Sequence, residues 1–206
     1  MLGDATGIGP EISVKVLASG AIADKARVVV IGDVRVLELG MRDARTPISY
    51  TVCRRLDEAN WRSDSIPVVD LGNFDPAQLE RGRISEMSGR ICGDTLKSMI
   101  ELALTGSLDG ISFAPLNKAA LHRGGWAFHD EHQMFAKLTS HTGFFGEMNV
   151  IPEFATFRVT SHVALREAVN MITPERIEKA LRLADSTLRA MGYDPPRIGV
   201  AALNPH

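Results

Sequence analysis

Cysteine is nearly absent from this chain: Cys53 and Cys92 are the only two among 206 residues, they stand far apart, and neither belongs to a CxxC pair. A disulfide framework or a thiolate zinc site has no basis in such a sequence, and both residues read as reduced, partly buried thiols. Long apolar runs are missing as well. No stretch approaches the ~18 residues of a membrane span, and the N-terminus lacks the charged-then-apolar order of a signal peptide. The expected location is therefore the cytoplasm, with no membrane partner. Nor does one sign of charge dominate, since 23 Lys and Arg against 25 Asp and Glu leave a formal net charge of -2. Without a basic run, the electrostatic footprint of a nucleic-acid binder is missing. Internal repeats and low-complexity segments are absent too.

What remains is 45% hydrophobic, enough for one sizeable α/β domain or two small ones. Periodicity predicts a helix over residues 10–17, a strand over 27–32, a helix over 34–40 and strands over 49–53 and 66–70. Residues 72–83 carry Asn-Phe-Asp-Pro and Arg-Gly-Arg without periodicity, so they read as a long connection of the kind that covers sites. Met87, Ile91, Leu96, Met99, Ile100 and Ala103 recur at near-helical spacing, which predicts a helix over 85–104 ending at Thr105-Gly106. A strand over 110–114, a helix over 130–139, a strand or turn over 149–153 and a strand over 157–161 follow. Thr173 as N-cap and Pro174 as the first helical residue open a helix that runs to about Met191, and Pro195-Pro196 leads into a last strand. Glycines and aromatics interrupt the pattern between Gly124 and Glu131, which places the expected domain division at 1–128 and 129–206. Both ends are abrupt: only Met1-Leu2 precede the turn at Gly3-Asp4, and the sequence stops where a strand should pass into a loop. The chain is expected to be a piece of a longer protein.

The chemistry centres on two histidines. His162 closes the run Phe157-Arg158-Val159-Thr160-Ser161, and His206 closes Ile198-Gly199-Val200-Ala201-Ala202-Leu203-Asn204-Pro205. In an open parallel sheet the ligand crevice lies outside the carboxyl ends of the strands, so two imidazoles there can converge on one metal ion or one substrate oxygen. A single strand-end histidine is more often hydrogen-bonded scaffolding. Asn117 and Lys118 follow the strand at 110–114, where an amide and a cation can meet an anionic substrate. The cluster His129-Asp130-Glu131-His132-Gln133 is not HExxH, and taken alone it reads best as a helix N-terminus with Asp130 as N-cap. His141 has no evident ligand partner and reads as structural or exposed. The turn Gly3-Asp4-Ala5-Thr6-Gly7-Ile8-Gly9-Pro10-Glu11-Ile12 fails as a Rossmann fingerprint, because Ile12 stands where the third glycine belongs and Asp33 follows Gly32 too soon after the strand. A tight turn that opens a helix explains it equally well.

That turn, the segment Ala114-Pro115-Leu116-Asn117-Lys118-Ala119-Ala120-Leu121-His122, and Thr160-Ser161-His162-Val163-Ala164-Leu165 followed by Asn204-Pro205-His206 occur in one order. Together they resemble the 4-hydroxythreonine-4-phosphate dehydrogenase family of vitamin B6 biosynthesis, and the resemblance covers essentially the whole chain and the first two-thirds of a family member. It implies an α/β fold of three α/β/α layers similar to isocitrate and isopropylmalate dehydrogenases, with two domains around a cleft, the second incomplete here. It also implies a homodimer with a shared active site, NAD, a divalent metal (Zn, Mg, Co or Mn), and oxidation of a hydroxyl beta to a carboxylate followed by decarboxylation. By position, His162 and His206 match metal ligands, while the family's third ligand, a later histidine, has no counterpart. Lys118 is the expected catalytic residue, balancing substrate charge or relaying a proton. Where the family has Gly-His-Thr-Glu against the substrate, this chain has Glu131-His132-Gln133-Met134, so His132 and Gln133 are the expected substrate-binding residues. The first-choice substrate is 4-phosphohydroxy-L-threonine. The runners-up are a phosphorylated four-carbon sugar acid, an aromatic cis-dihydrodiol carboxylate, and a non-catalytic metal- or phosphate-binding fragment.

Overall fold

The computed structural model describes residues 1–61, 64–128 and 130–204. The expectations for His129 and His206 lie outside the described residues. The chain divides into two compact units, Met1–Thr139 and Ser140–His206. The helix at 131–138 groups with the first unit, whereas the sequence expectation placed it in the second.

The first unit is mixed α/β around a parallel sheet. Its strands are β1 (Val30–Gly32), β2 (Tyr50–Cys53) and β3 (Ile66–Asp70), in the spatial order β1-β3-β2. Val30 pairs with Val68 and Tyr50 with Ile66. Pro67, Val68 and Val69 of the central strand are all buried, as expected of a parallel strand covered on both faces. Helix α1 (Gly9–Ala18) starts with Pro10 in its first turn, where a missing N–H costs nothing. Helix α2 (Val34–Ala44) is capped by Asp33, which accepts from the Arg35 N–H, and it stops at Arg45, which sits in the left-handed region at φ 50°. Val14, Leu37, Val30, Val68 and Phe74 form the centre of the core between these helices and the sheet.

Helix α3 (Glu86–Leu104) starts at Ser85, whose hydroxyl caps the Ser88 N–H. The expected strand over 110–114 takes a looser form. Its backbone is bonded to the N-terminal segment, with Met1 N donating to Ser112 O at 2.9 Å, Ala114 N to Met1 O at 3.1 Å and Asp4 N to Pro115 O at 3.0 Å. Two short helices then follow, α4 (Lys118–Arg123) and α5 (Glu131–Leu138). Helix α4 was not expected.

The second unit pairs an antiparallel hairpin, β4 (Met148–Val150) and β5 (Ala155–Phe157), with helices α6 (Leu165–Met171) and α7 (Pro174–Ala190). Thr173 caps α7 as expected, accepting from the Arg176 N–H at 3.2 Å. The strand predicted over 157–161 is displaced: β5 ends at Phe157, and residues 158–161 lead as irregular chain into a corner. Residues 198–204 form no strand, and Ile198, Val200 and Leu203 are exposed. A strand is defined by its neighbour, and these residues have no ladder partner among the described residues. Among the described residues, no helix is long and apolar enough to cross a membrane.

Candidate functional site

In the first unit, Asn117 does not reach outward as an amide for a ligand. Its Oδ1 accepts the Ala120 N–H at 3.0 Å and caps α4, which makes Lys118 the first helical residue. Helix α4 lies directly on α3 because α3 is notched. A Cβ on Gly89 would stand 1.8 Å from Ala120 O, and one on Gly93 would stand 2.1 Å from the Trp126 ring. Into the second notch goes Trp126, whose indole N–H donates to Asp94 Oδ1 at 3.2 Å and whose ring stacks on Phe128.

Helix α5 starts where the cluster reading placed it. Asp130 Oδ1 accepts the Gln133 N–H at 2.9 Å, and Met134 is buried beneath the helix. Phe135 meets Phe113 edge-to-face at 5.8 Å, which fastens α5 beside the segment at 112–115. This brings Glu131 Oε2 within 3.9 Å of Lys118 Nζ and leaves His132 Nδ1 3.8 Å from Asp130 Oδ1. Lys118, Trp126, Asp130, Glu131 and Met134 bound a hollow of about 10 Å³.

Of the residues singled out from sequence, Lys118 lines that hollow, while His132 and Gln133 sit on the same first turn of α5 without lining it. Glu131 stood in the cluster singled out from sequence, but its pairing with Lys118 was not foreseen, since nothing in their spacing announces it. A partly exposed pair of this kind is worth only ~0–1 kcal/mol. The Lys118 ammonium is therefore free to exchange Glu131 for a bound anion at little cost.

The glycine-rich turn is explained by packing. Asp4 is buried, and its Oδ1 accepts the Thr6 N–H and Thr6 hydroxyl, both at 2.8 Å, and the Ser88 hydroxyl at 2.5 Å. Gly3 lies at φ 75°, and a Cβ there would stand 2.6 Å from Pro115 O. Asp33 is likewise occupied: besides capping α2 it accepts from Arg35 Nε at 2.9 Å, Arg35 Nη2 at 2.8 Å and Phe74 N at 2.8 Å. Burial pushes the Asp33 carboxyl up, but the Arg35 hydrogen bonds and the two backbone donors outweigh it and hold the group below the usual carboxylate range. A cavity of about 30 Å³ is lined in part by Gly3, Ile31, Asp33, Ser88 and Cys92. It has room for ordered water and is far smaller than the few hundred Å³ of a nucleotide pocket. Burial pushes the Cys92 thiol up to about 12, with the nearby Asp4 charge adding to the shift.

In the second unit, the sequence reading singled out the Thr160-Ser161-His162 corner. His162 lies in the left-handed region at φ 54°, a conformation uncommon for a residue with a side chain. Its Nε2 stands 3.6 Å from Glu147 Oε2, and Arg158 Nη1 donates to the same oxygen at 2.8 Å. Glu147 comes from the start of the hairpin and was not singled out from sequence. The corner is held from behind by Arg176, which donates to Val159 O at 2.7 Å and covers the Phe144 ring at 5.3 Å. His141 is exposed, with its ring against Phe145. An imidazole nitrogen such as His162 Nε2 is a donor that suits a divalent cation, while the Glu147 oxygen beside it is already taken by Arg158. Among the described residues no third His, Cys, Asp or Glu joins them.

The family model described as "Pyridoxal phosphate biosynthetic protein PdxA" matches residues 24–206. The D-threonate 4-phosphate dehydrogenase of Cupriavidus necator is 37% identical over 205 residues, which span all of this chain and 61% of that protein. Two crystal structures superpose on the whole chain. A 4-hydroxythreonine-4-phosphate dehydrogenase from Burkholderia phymatum has a TM-score of 0.87 at 33% identity, with 62% of that chain covered. One from Klebsiella pneumoniae has a TM-score of 0.88 at 34% identity, again with 62% covered. The chain thus spans about three-fifths of the length of the relatives that it matches.

Proposed function

This chain belongs to the family of the pyridoxal phosphate biosynthetic protein PdxA, and on that premise we propose that it is the larger part of an NAD-dependent, divalent-metal-dependent dehydrogenase. Its substrate is a four-carbon acid phosphorylated at its far end. What carries this reading is the alignment of the whole chain with dehydrogenases named for two such acids. The first reading is 4-phosphohydroxy-L-threonine, oxidised and decarboxylated in vitamin B6 biosynthesis. The second, D-threonate 4-phosphate, is favoured by the similarity to the Cupriavidus necator enzyme. A three-layer α/β/α architecture and a homodimer with a shared active site belong to the same proposal.

The roles of this chain's residues follow from their surroundings. Lys118 releases Glu131 and holds an anionic group of the substrate. His132, beside the Asp130 carboxylate, takes the proton of the reacting hydroxyl. Gln133 offers an exposed amide at the start of α5, able both to donate to and accept from the substrate. His162, with His206 as the second imidazole, holds the divalent cation. When bound, that cation lowers the pKa of the substrate hydroxyl and polarises the new carbonyl, and NAD accepts the hydride.

The test is NADH formation by a polypeptide that comprises this chain and the remaining third of the family's length. It is assayed with a divalent cation on 4-phosphohydroxy-L-threonine, D-threonate 4-phosphate and D-erythronate 4-phosphate. Turnover of the first above the others supports the vitamin B6 reading, and preference for a sugar acid supports the second. Turnover that survives His162→Ala would remove the metal role of His162. No turnover on any of the three would favour the dihydrodiol carboxylate or a non-catalytic fragment.

A further inference from the structure

We propose that Glu131 sets substrate specificity by receiving the α-ammonium of an amino-acid substrate while Lys118 holds its carboxylate, so that this site takes an α-amino acid in preference to the matching hydroxy acid. The inference rests on the Lys118 reading above and deepens it.

The argument is one of charge. Lys118 Nζ stands 3.9 Å from Glu131 Oε2, beyond hydrogen-bond reach, so the two groups face each other as charges without a bond between them. The Lys118 side chain is 55% exposed and that of Glu131 24%, which opens both to a ligand at the rim of the hollow that they line. Besides His122, whose Nε2 bonds to Phe128 O, the ionisable groups around that hollow among the described residues are one cation, Lys118, and two carboxylates, Asp130 and Glu131. Asp130 is already engaged as the cap of α5, its Oδ1 accepting the Gln133 N–H. A substrate carboxylate that takes Lys118 from Glu131 therefore adds to an excess of negative charge and strips Glu131 of its cation. An α-ammonium restores the balance. It sits on the carbon next to that carboxylate, with its nitrogen about 3 Å from the oxygens. This spacing is close enough to that of Lys118 and Glu131 for the two pairs to lie side by side, each charge against one of opposite sign. A hydroxyl in the same place offers Glu131 only a neutral donor, and a bond with both partners ionised is stronger. The two acids differ at this carbon: 4-phosphohydroxy-L-threonine carries an ammonium where D-threonate 4-phosphate carries a hydroxyl.

Calorimetric binding with a divalent cation and without NAD is the test, since neither acid is then oxidised. The polypeptide that comprises this chain and the remaining third of the family's length is titrated with each acid as wild type, Glu131→Gln and Lys118→Met, with circular dichroism confirming the fold of each. The wild type is expected to bind 4-phosphohydroxy-L-threonine more tightly than D-threonate 4-phosphate. Glu131→Gln is expected to weaken binding of the amino acid at least ~tenfold, as for the loss of one charge-assisted bond. It should leave the sugar acid bound equally or more tightly, because a competitor for Lys118 is gone. Lys118→Met should weaken both. An equal effect of Glu131→Gln on the two acids, or a wild type that prefers the sugar acid, would overturn the role of Glu131 and leave Lys118 as the anchor. Unchanged binding of both acids in Lys118→Met, or no saturable binding by the wild type, would overturn the Lys118 reading and this inference together.

Discussion

The Ser88 hydroxyl, in the first turn of α3, donates to the Asp4 carboxylate at 2.5 Å across 84 residues of sequence. That bond ties the glycine-rich turn to the longest helix and makes the turn part of the frame. Both groups are buried. Ser88→Ala would remove one of the three donors that Asp4 has among the described residues, and the loss of one buried donor to a charged acceptor costs ~1–3 kcal/mol. Urea denaturation should show a lower midpoint with an unchanged slope. An unchanged midpoint would mean that water replaces the hydroxyl.

Acid should weaken the first unit through Asp33. Its folded pKa is depressed, so its contribution is complete above the ordinary carboxylate value of about 3.9 and is lost as pH falls through the lower folded value. Asp33→Asn also loses charge-assisted bonds from Arg35, and should destabilise by ~1–3 kcal/mol near neutral pH. The gap between variant and wild type should narrow toward pH 2. A gap independent of pH would show that the carboxylate's charge is irrelevant to stability.

The two thiols should differ in reactivity. Cys92 is buried with its thiol pushed up to about 12, while Cys53 is half-buried, its thiol raised by burial and the nearby Glu58 and Asp57 charges. Because the thiolate is the attacking form, iodoacetamide at pH 8 should label Cys53 slowly and Cys92 only after denaturation. Mass spectrometry of the peptides distinguishes them, and prompt native labelling of Cys92 would contradict its burial.

Gly89→Ala should displace α4. The added methyl would meet Ala120 O at 1.8 Å, and overpacking against backbone costs ~1–3 kcal/mol. In the longer polypeptide the same change should raise KM more than it lowers kcat, since Lys118 moves with the helix. Equal kinetics with the wild type would show that α4 tolerates the shift.

Local signals carried much of this from the sequence. Thr173 and Asp130, read as caps, are each followed by the helix that they cap, because a cap is satisfied within three residues. The same rule could have revealed α4, where Asn117 caps Ala120, but six residues are too few for periodicity to register. Strands fared worse: residues 157–161 and 198–204 have strand-like composition, yet pairing is decided by a distant neighbour. The candidate site divides the same way. Lys118, Glu131 and His162 stand in stretches singled out from the sequence, whereas Glu147, and the pairings at 3.9 Å and 3.6 Å, became visible only on folding.

The bonds that join Met1 to Ser112 and Ala114 have a consequence for the order of assembly. During synthesis, residues 1–4 leave the ribosome long before the segment beside which they lie, so that edge of the first unit cannot close until the chain has grown past residue 115. Closing so large a loop is slow compared with forming the helices between its ends. The edge that residues 1–4 form with residues 112–115 is therefore a late closure in the first unit, made only after the sheet and α3 have been synthesised.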